Sequence, residues 1–122
     1  MQIKALRRDM AAINEGRWVD ASEVKALGDM RVKMRGSQTE AVRARLDEAA
    51  RANAPSPMQE IIWTHCLIEI EGLLDGKKPV TADDLQKVWQ DPALEPLGLI
   101  LLECLSVVDA TREAKEAKAV KN

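Results

Sequence analysis

The sequence predicts a mainly α protein, a small helical domain of about five helices with a short two-stranded β ribbon near its N-terminus. Three observations predict it. The 122-residue chain is rich in Ala, Leu, Lys, Glu, Arg and Met, which favour helices, and it lacks Phe and Tyr, which favour strands. Apolar residues recur at helical spacing through most of the chain. One segment, Met30 to Arg35, instead alternates apolar and basic residues, the period of a half-buried strand. The length suits one domain, placed at 1–110 with the ribbon at about 17–36, followed by a charged tail at 111–122. With 46% apolar and 31% charged residues, the chain is expected to bury an aliphatic core rather than stay disordered.

The elements follow in order. Ile3, Leu6, Met10 and Ile13 form one narrow stripe on a helix over 3–14, and Gly16 is a natural stop. Trp18–Asp20 and Met30–Arg35 read as the two strands of the ribbon, with a helical turn over Ser22–Leu27 ended by Gly28. Two strands alone are marginal in water, so the ribbon must lean on helices or on another subunit. Ser37 and Glu40 have the spacing of a capping box for a helix to about Ala54, whose apolar stripe of Val42, Leu46, Ala49 and Ala50 is thin.

Pro55-Ser56-Pro57 breaks that helix and Ser56 can cap the next. Residues 57–75 then read as the central helix. Ile62, Trp63, Cys66, Leu67, Ile70, Leu73 and Leu74 fill one broad arc of it, and Met58, Ile61 and Ile68 lie on a further side beside His65. Gly76 ends it and 77–80 reads as a loop. Thr81 caps a short helix carrying Asp83 and Asp84 in its first turn, with Leu85, Val88 and Trp89 inward. Pro96 opens the last helix. Its main arc holds Leu97, Ile100, Leu101, Cys104, Leu105, Val107 and Val108, while Leu99 and Leu102 fall outside it. The tail from Thr111 has almost no apolar stripe and is expected to fray.

Several functions are disfavoured at once. The six glycines form no phosphate-binding loop, and the single His65 is too little for most zinc or triad chemistry. His65 and Cys66 are adjacent and would point about 100° apart on a helix, which suits neither a metal site nor a nucleophile pair. Glu69 and Glu71 would point apart on the same helix, and Asp83-Asp84 is explained by a helix start, so neither pair reads as catalytic. No enzyme, metal or cofactor is expected. Cys66 and Cys104 lie within apolar runs and read as buried thiols in a reducing compartment. No apolar run is long enough to span a membrane and the N-terminus has no signal-like segment, so a cytoplasmic protein is expected.

Charge is unevenly spread. Residues 1–51 carry 11 Lys and Arg against 8 Asp and Glu, net +3; residues 52–110 carry 3 against 10, net −7; residues 111–122 carry 4 against 2, net +2. Such polarity suits head-to-tail contact between copies. Arg31, Lys33 and Arg35 share one strand face about 7 Å apart. They read as a solvated edge strand, as a contact for an acidic partner surface, or as a nucleic-acid ribbon. The last is disfavoured by the mildly acidic chain and by the lack of a stacking aromatic beside them. Met58, Ile61, Ile68, Leu99 and Leu102 are candidate exposed apolar residues, either covered by the N-terminal elements or forming an interface.

Gly16-Arg17-Trp18-Val19, then Met30 to Gly36, then the Arg-rich helix Val42–Arg51, resemble the first half of the tail assembly chaperones of long-tailed bacteriophages. Trp63 in an apolar helix, Lys77-Lys78-Pro79-Val80-Thr81 with Leu85, and Asp91-Pro92-Ala93-Leu94 before a final helix are similar to their second half. The resemblance covers most of residues 3–108. It departs at Ser37-Gln38-Thr39, where many relatives have a proline, and in the spacer Ala21–Asp29. It implies a mostly helical, non-enzymatic protein of the host cytoplasm, absent from the mature virion. Such a protein self-associates, keeps the tape measure protein soluble and helps recruit tail tube subunits; a longer frameshifted form is common in the family. The alternatives are a small structural tail or connector protein, or a nucleic-acid-binding regulator.

Overall fold

A computed structural model of the chain describes residues 2–110. The tail expected to fray, 111–122, lies outside them. Two short helices, α1 (Ile3–Leu6) and α2 (Met10–Glu15), precede strand β1 (Arg17–Val19), a 3-10 turn at Lys25–Leu27 and strand β2 (Arg31–Met34). Helix α3 (Glu40–Arg51) follows. Helix α4 (Met58–Ile61) runs into a π-helical turn at Ile62–Cys66 and then into strand β3 (Leu67–Glu71). A hairpin of β4 (Leu74–Asp75) and β5 (Lys78–Pro79) leads to α5 (Ala82–Gln86), a 3-10 turn at Pro92–Leu94 and α6 (Glu95–Asp109). Among the described residues helix takes 52% and strand 16%, with six α-helices rather than about five. The fold is therefore mixed α/β, and the mainly α expectation, with any all-α description, is overturned.

The correction comes from β3. The predicted ribbon does form: β1 and β2 are antiparallel, with Arg17 opposite Met34, Trp18 opposite Lys33 and Val19 opposite Val32. But β3 adds to the other edge of β2, Arg31 opposite Glu71, Val32 opposite Ile70 and Lys33 opposite Glu69. The ribbon is a three-stranded sheet in the order β1-β2-β3, and β2 is its centre. The expected helix over 57–75 stops at the π turn. Beyond it, Ile68-Glu69-Ile70-Glu71 alternates and contains two β-branched residues, which suits a pleat better than a helix. The register shifts between Lys33 and Met34, leaving Ile68 as the extra residue of a bulge.

The N-terminal helix is also divided. The Asp9 side chain accepts a hydrogen bond from the Ala12 amide and starts α2 afresh, after an extended Arg7. Gly16, with φ of 91°, stops α2 as expected. Helix α3 is capped by Thr39, whose hydroxyl accepts from the Val42 amide, and not by Ser37. Ser37 instead donates its hydroxyl and its amide to the Asp109 carboxylate at the end of α6. The Thr81 cap is as predicted and forms a complete capping box with Asp84.

Val19, Val32, Met34, Leu67 and Ile70 point inward from the sheet. Helix α6 packs against β1, β2 and the π turn, and α5 packs against β3. Leu101, Cys104, Leu105 and Val108 of α6 close the core over Trp63 and Cys66. The arc read for the last helix is the buried face observed, except that Ile100 is only half-buried.

Candidate functional site

The outer face of the sheet carries the basic row. Trp18 lies on β1, Arg31 and Lys33 on β2, and Glu69 and Glu71 on β3. Because β2 is central, the row is not an edge. Arg31 pairs with Glu71 and stacks on Trp18, its guanidinium carbon 4.1 Å from the ring centroid. The hydrogen bond from Arg31 holds the Glu71 carboxyl below its ordinary range. Lys33 stands opposite both Trp18 and Glu69 in register. Arg35 turns away, donating from Nη1 to the His65 carbonyl at 3.1 Å. The three bases thus meet an acid, an acid-flanked position and a backbone carbonyl. An aromatic does lie beside them, contrary to the sequence reading, but it is occupied by Arg31.

The apolar candidates separate. Ile61 is buried in the core and Met58 packs against that core. Ile68 is half-buried at the bulge, its side chain packed over Gly16 where a Cβ would otherwise stand. These three form no surface patch. Leu99 and Leu102 do lie on the outside of α6, at 58% and 41% exposure. They are joined by exposed apolar residues that sequence reasoning did not single out: Ile3, Leu6 and Met10 on the N-terminal segment, and Leu74 and Val88 near α5. Of the stripe Ile3, Leu6, Met10 and Ile13, only Ile13 is buried.

Leu74 and Val88 belong to a groove of about 690 Å³ between the β4–β5 hairpin, α5 and the start of α6. Its floor and walls include Leu73, Val80, Leu85, Leu97 and Ile100, and Asp75, Asp84 and Lys78 stand at its margin. The groove exists because 72–80 turns twice instead of ending a helix. Gly76, with φ of 63°, allows the tight hairpin, and Val80 donates its amide to the Leu73 carbonyl. The sequence signal was the Gly76-Lys77 pair between Leu73-Leu74 and Pro79-Val80.

The titratable groups offer little chemistry. His65 has a lowered pKa, first from burial and then from the Arg35 charge, which favours its neutral form. Cys66 and Cys104 are buried and are not joined in a disulfide. Burial, and then the Asp109 charge, push the Cys66 thiol up to about 12. In a Cys104→Ala variant at pH 8, Cys66 is expected to react with a thiol reagent at least roughly a hundred-fold slower in the folded chain than in denaturant. Equal rates in the two states would refute the burial. Among the described residues, no three of His, Cys, Asp and Glu are grouped to hold a metal ion, and no helix is long and apolar enough to cross a membrane.

Fold and surface together define a small α/β domain with a charge-paired sheet face, an apolar groove and an apolar ridge on its longest helix. Comparison of the chain with protein-family models, curated proteins and solved structures finds no match.

Proposed function

We propose that this chain is a non-enzymatic tail assembly chaperone of a long-tailed bacteriophage. It acts in the host cytoplasm, self-associates, holds the tape measure protein in solution, helps recruit tail tube subunits and leaves before the virion matures. The observation that carries the reading is the ridge of Leu99 and Leu102, apolar side chains three residues apart on the outside of α6. An apolar helix of a client can lay its own stripe along such a ridge. Each contact is weak, so several copies on one client hold it by multivalency and still yield to tube subunits. The sequence resemblance supplies the identity of the client. Arg31 is paired with Glu71 and Lys33 stands opposite Glu69, which weighs against this row as a phosphate-binding surface and so against the nucleic-acid regulator.

The test is co-expression with the tape measure protein. The chain is expected to raise the soluble fraction of that client several-fold, and a Leu99→Glu, Leu102→Glu variant to lose most of the gain while remaining folded by circular dichroism. A client equally soluble without the chain refutes the chaperone reading. A double variant that protects as well as the parent removes the ridge from it. Presence of the chain in purified virions favours the structural tail protein instead.

A further inference from the structure

We propose that copies of this chain join head to tail, the Ile3–Met10 segment of one lying in the groove between the β4–β5 hairpin, α5 and α6 of the next. This deepens the self-association contained in the reading above, but it rests on surfaces whose test involves no client.

Both halves of the contact are on the molecule. The segment shows three exposed apolar side chains, Ile3, Leu6 and Met10, interleaved with Lys4, Arg7 and Arg8. The groove is lined mainly by aliphatic side chains, with Leu74 and Val88 exposed at its rim. Asp75 and Asp84 stand at its margin with Lys78 between them in sequence, and Asp83 lies beside them in the first turn of α5, so carboxylates outnumber the one lysine there. Burial of the apolar side chains drives association, and Lys4 and Arg7 can meet the carboxylates of Asp75, Asp83 and Asp84.

The two surfaces lie at opposite ends of α6. The N-terminal segment is tied to the far end, where Arg8 Nε donates to the Asp109 carbonyl at 2.8 Å. The groove uses the near end, Pro96, Leu97 and Ile100. Between Ile100 and Asp109 the helix rises about 14 Å at 1.5 Å per residue. As folded, the segment therefore presents itself to a neighbour and not to its own groove. Two different patches meeting make a heterologous contact, which propagates instead of closing on a symmetric pair. A segment of this size buries a small area, so the association is weak and grows with concentration.

Sedimentation over a concentration series tests it, with circular dichroism confirming the fold of each variant. The parent chain is expected to pass beyond two copies as concentration rises. A segment variant, Leu6→Glu with Met10→Glu, and a groove variant, Leu74→Glu with Val88→Glu, are each expected to stay monomeric, since the replaced side chains are exposed and the fold does not depend on them. Mixed together, the two variants are expected to form a pair and nothing larger, because one retains an intact groove and the other an intact segment. A monomeric parent, a parent that stops at two copies, association of either variant alone, or a mixture that stays monomeric overturns the proposal. None of these outcomes bears on whether Leu99 and Leu102 hold a client.

Discussion

Trp63→Ala is expected to cost about 3–5 kcal/mol of folding stability, the range for deleting a large aromatic from a core. At about 4 °C per kcal/mol for a chain of this length, the melting temperature falls by roughly 12 °C or more. Trp63 is 2% exposed and is the largest fully buried side chain. It sits in the π-helical turn that joins α4 to β3, and its ring lies against Gly98 of α6, with Cζ2 3.6 Å from where a Cβ on that glycine would stand. No neighbouring side chain is aromatic enough to fill the hole, since the chain has only three Trp and no Phe or Tyr. The indole N–H has no hydrogen-bond partner among the described residues, so Trp63→Phe loses less than Trp63→Ala. Thermal unfolding of both variants checks the order; an alanine variant within 1 °C of the parent would show that the ring is not the wedge described.

Gly72→Ala is the second large effect. Gly72 follows β3 with φ of 85°, a region that costs an L-residue about 1–2 kcal/mol. A Cβ there would also stand 2.6 Å from the Asp29 carbonyl oxygen and 3.1 Å from the Met30 Cα, both backbone. The start of β2 must move to admit it, so the total is expected to exceed about 2 kcal/mol. Gly76→Ala supplies the internal control. Its φ is 63°, but a Cβ meets nothing within 4 Å, so it carries the conformational cost alone. Denaturant midpoints are expected in the order parent, Gly76→Ala, Gly72→Ala. Equal midpoints for the two variants would remove the close approach of β3 to the Asp29 loop.

Much of this fold is legible residue by residue. The alternation of Met30 to Arg35 gives β2, Gly16 and Gly28 give the two stops, Thr81 gives its cap, and the arc of α6 separates the buried Leu101 and Cys104 from the exposed Leu99 and Leu102. The third strand was hidden because 57–75 is apolar almost throughout, and periodicity cannot separate a buried strand from a buried helix in such a run. Its signal, Ile68-Glu69-Ile70-Glu71, is only four residues long. On a strand Glu69 and Glu71 share a face, which turns two unrelated helix residues into the acidic neighbours of Arg31 and Lys33. Losing β3 therefore also lost the Arg31–Glu71 pair and the acid opposite Lys33. The cap of α3 failed for a different reason. Ser37 has the right local spacing, but a carboxylate 72 residues away claims its hydroxyl, and no local rule can see that. The groove was missed for the same reason as β3, since both depend on where the central helix stops.

The bond between Ser37 and Asp109 has a consequence for the order in which the chain can assemble. Strands β1 and β2 are close in sequence and can meet early at small entropic cost. Strand β3 must close a loop carrying all of α3 and α4, and the Asp109 clasp must close a loop of 72 residues. Because such closures come before the contacts that reward them, they slow folding relative to a helical bundle of equal length. A chain whose composition suggests a fast-folding bundle thus has the kinetic character of a sheet protein, with its last helix locked to the first half only when nearly everything between them is in place.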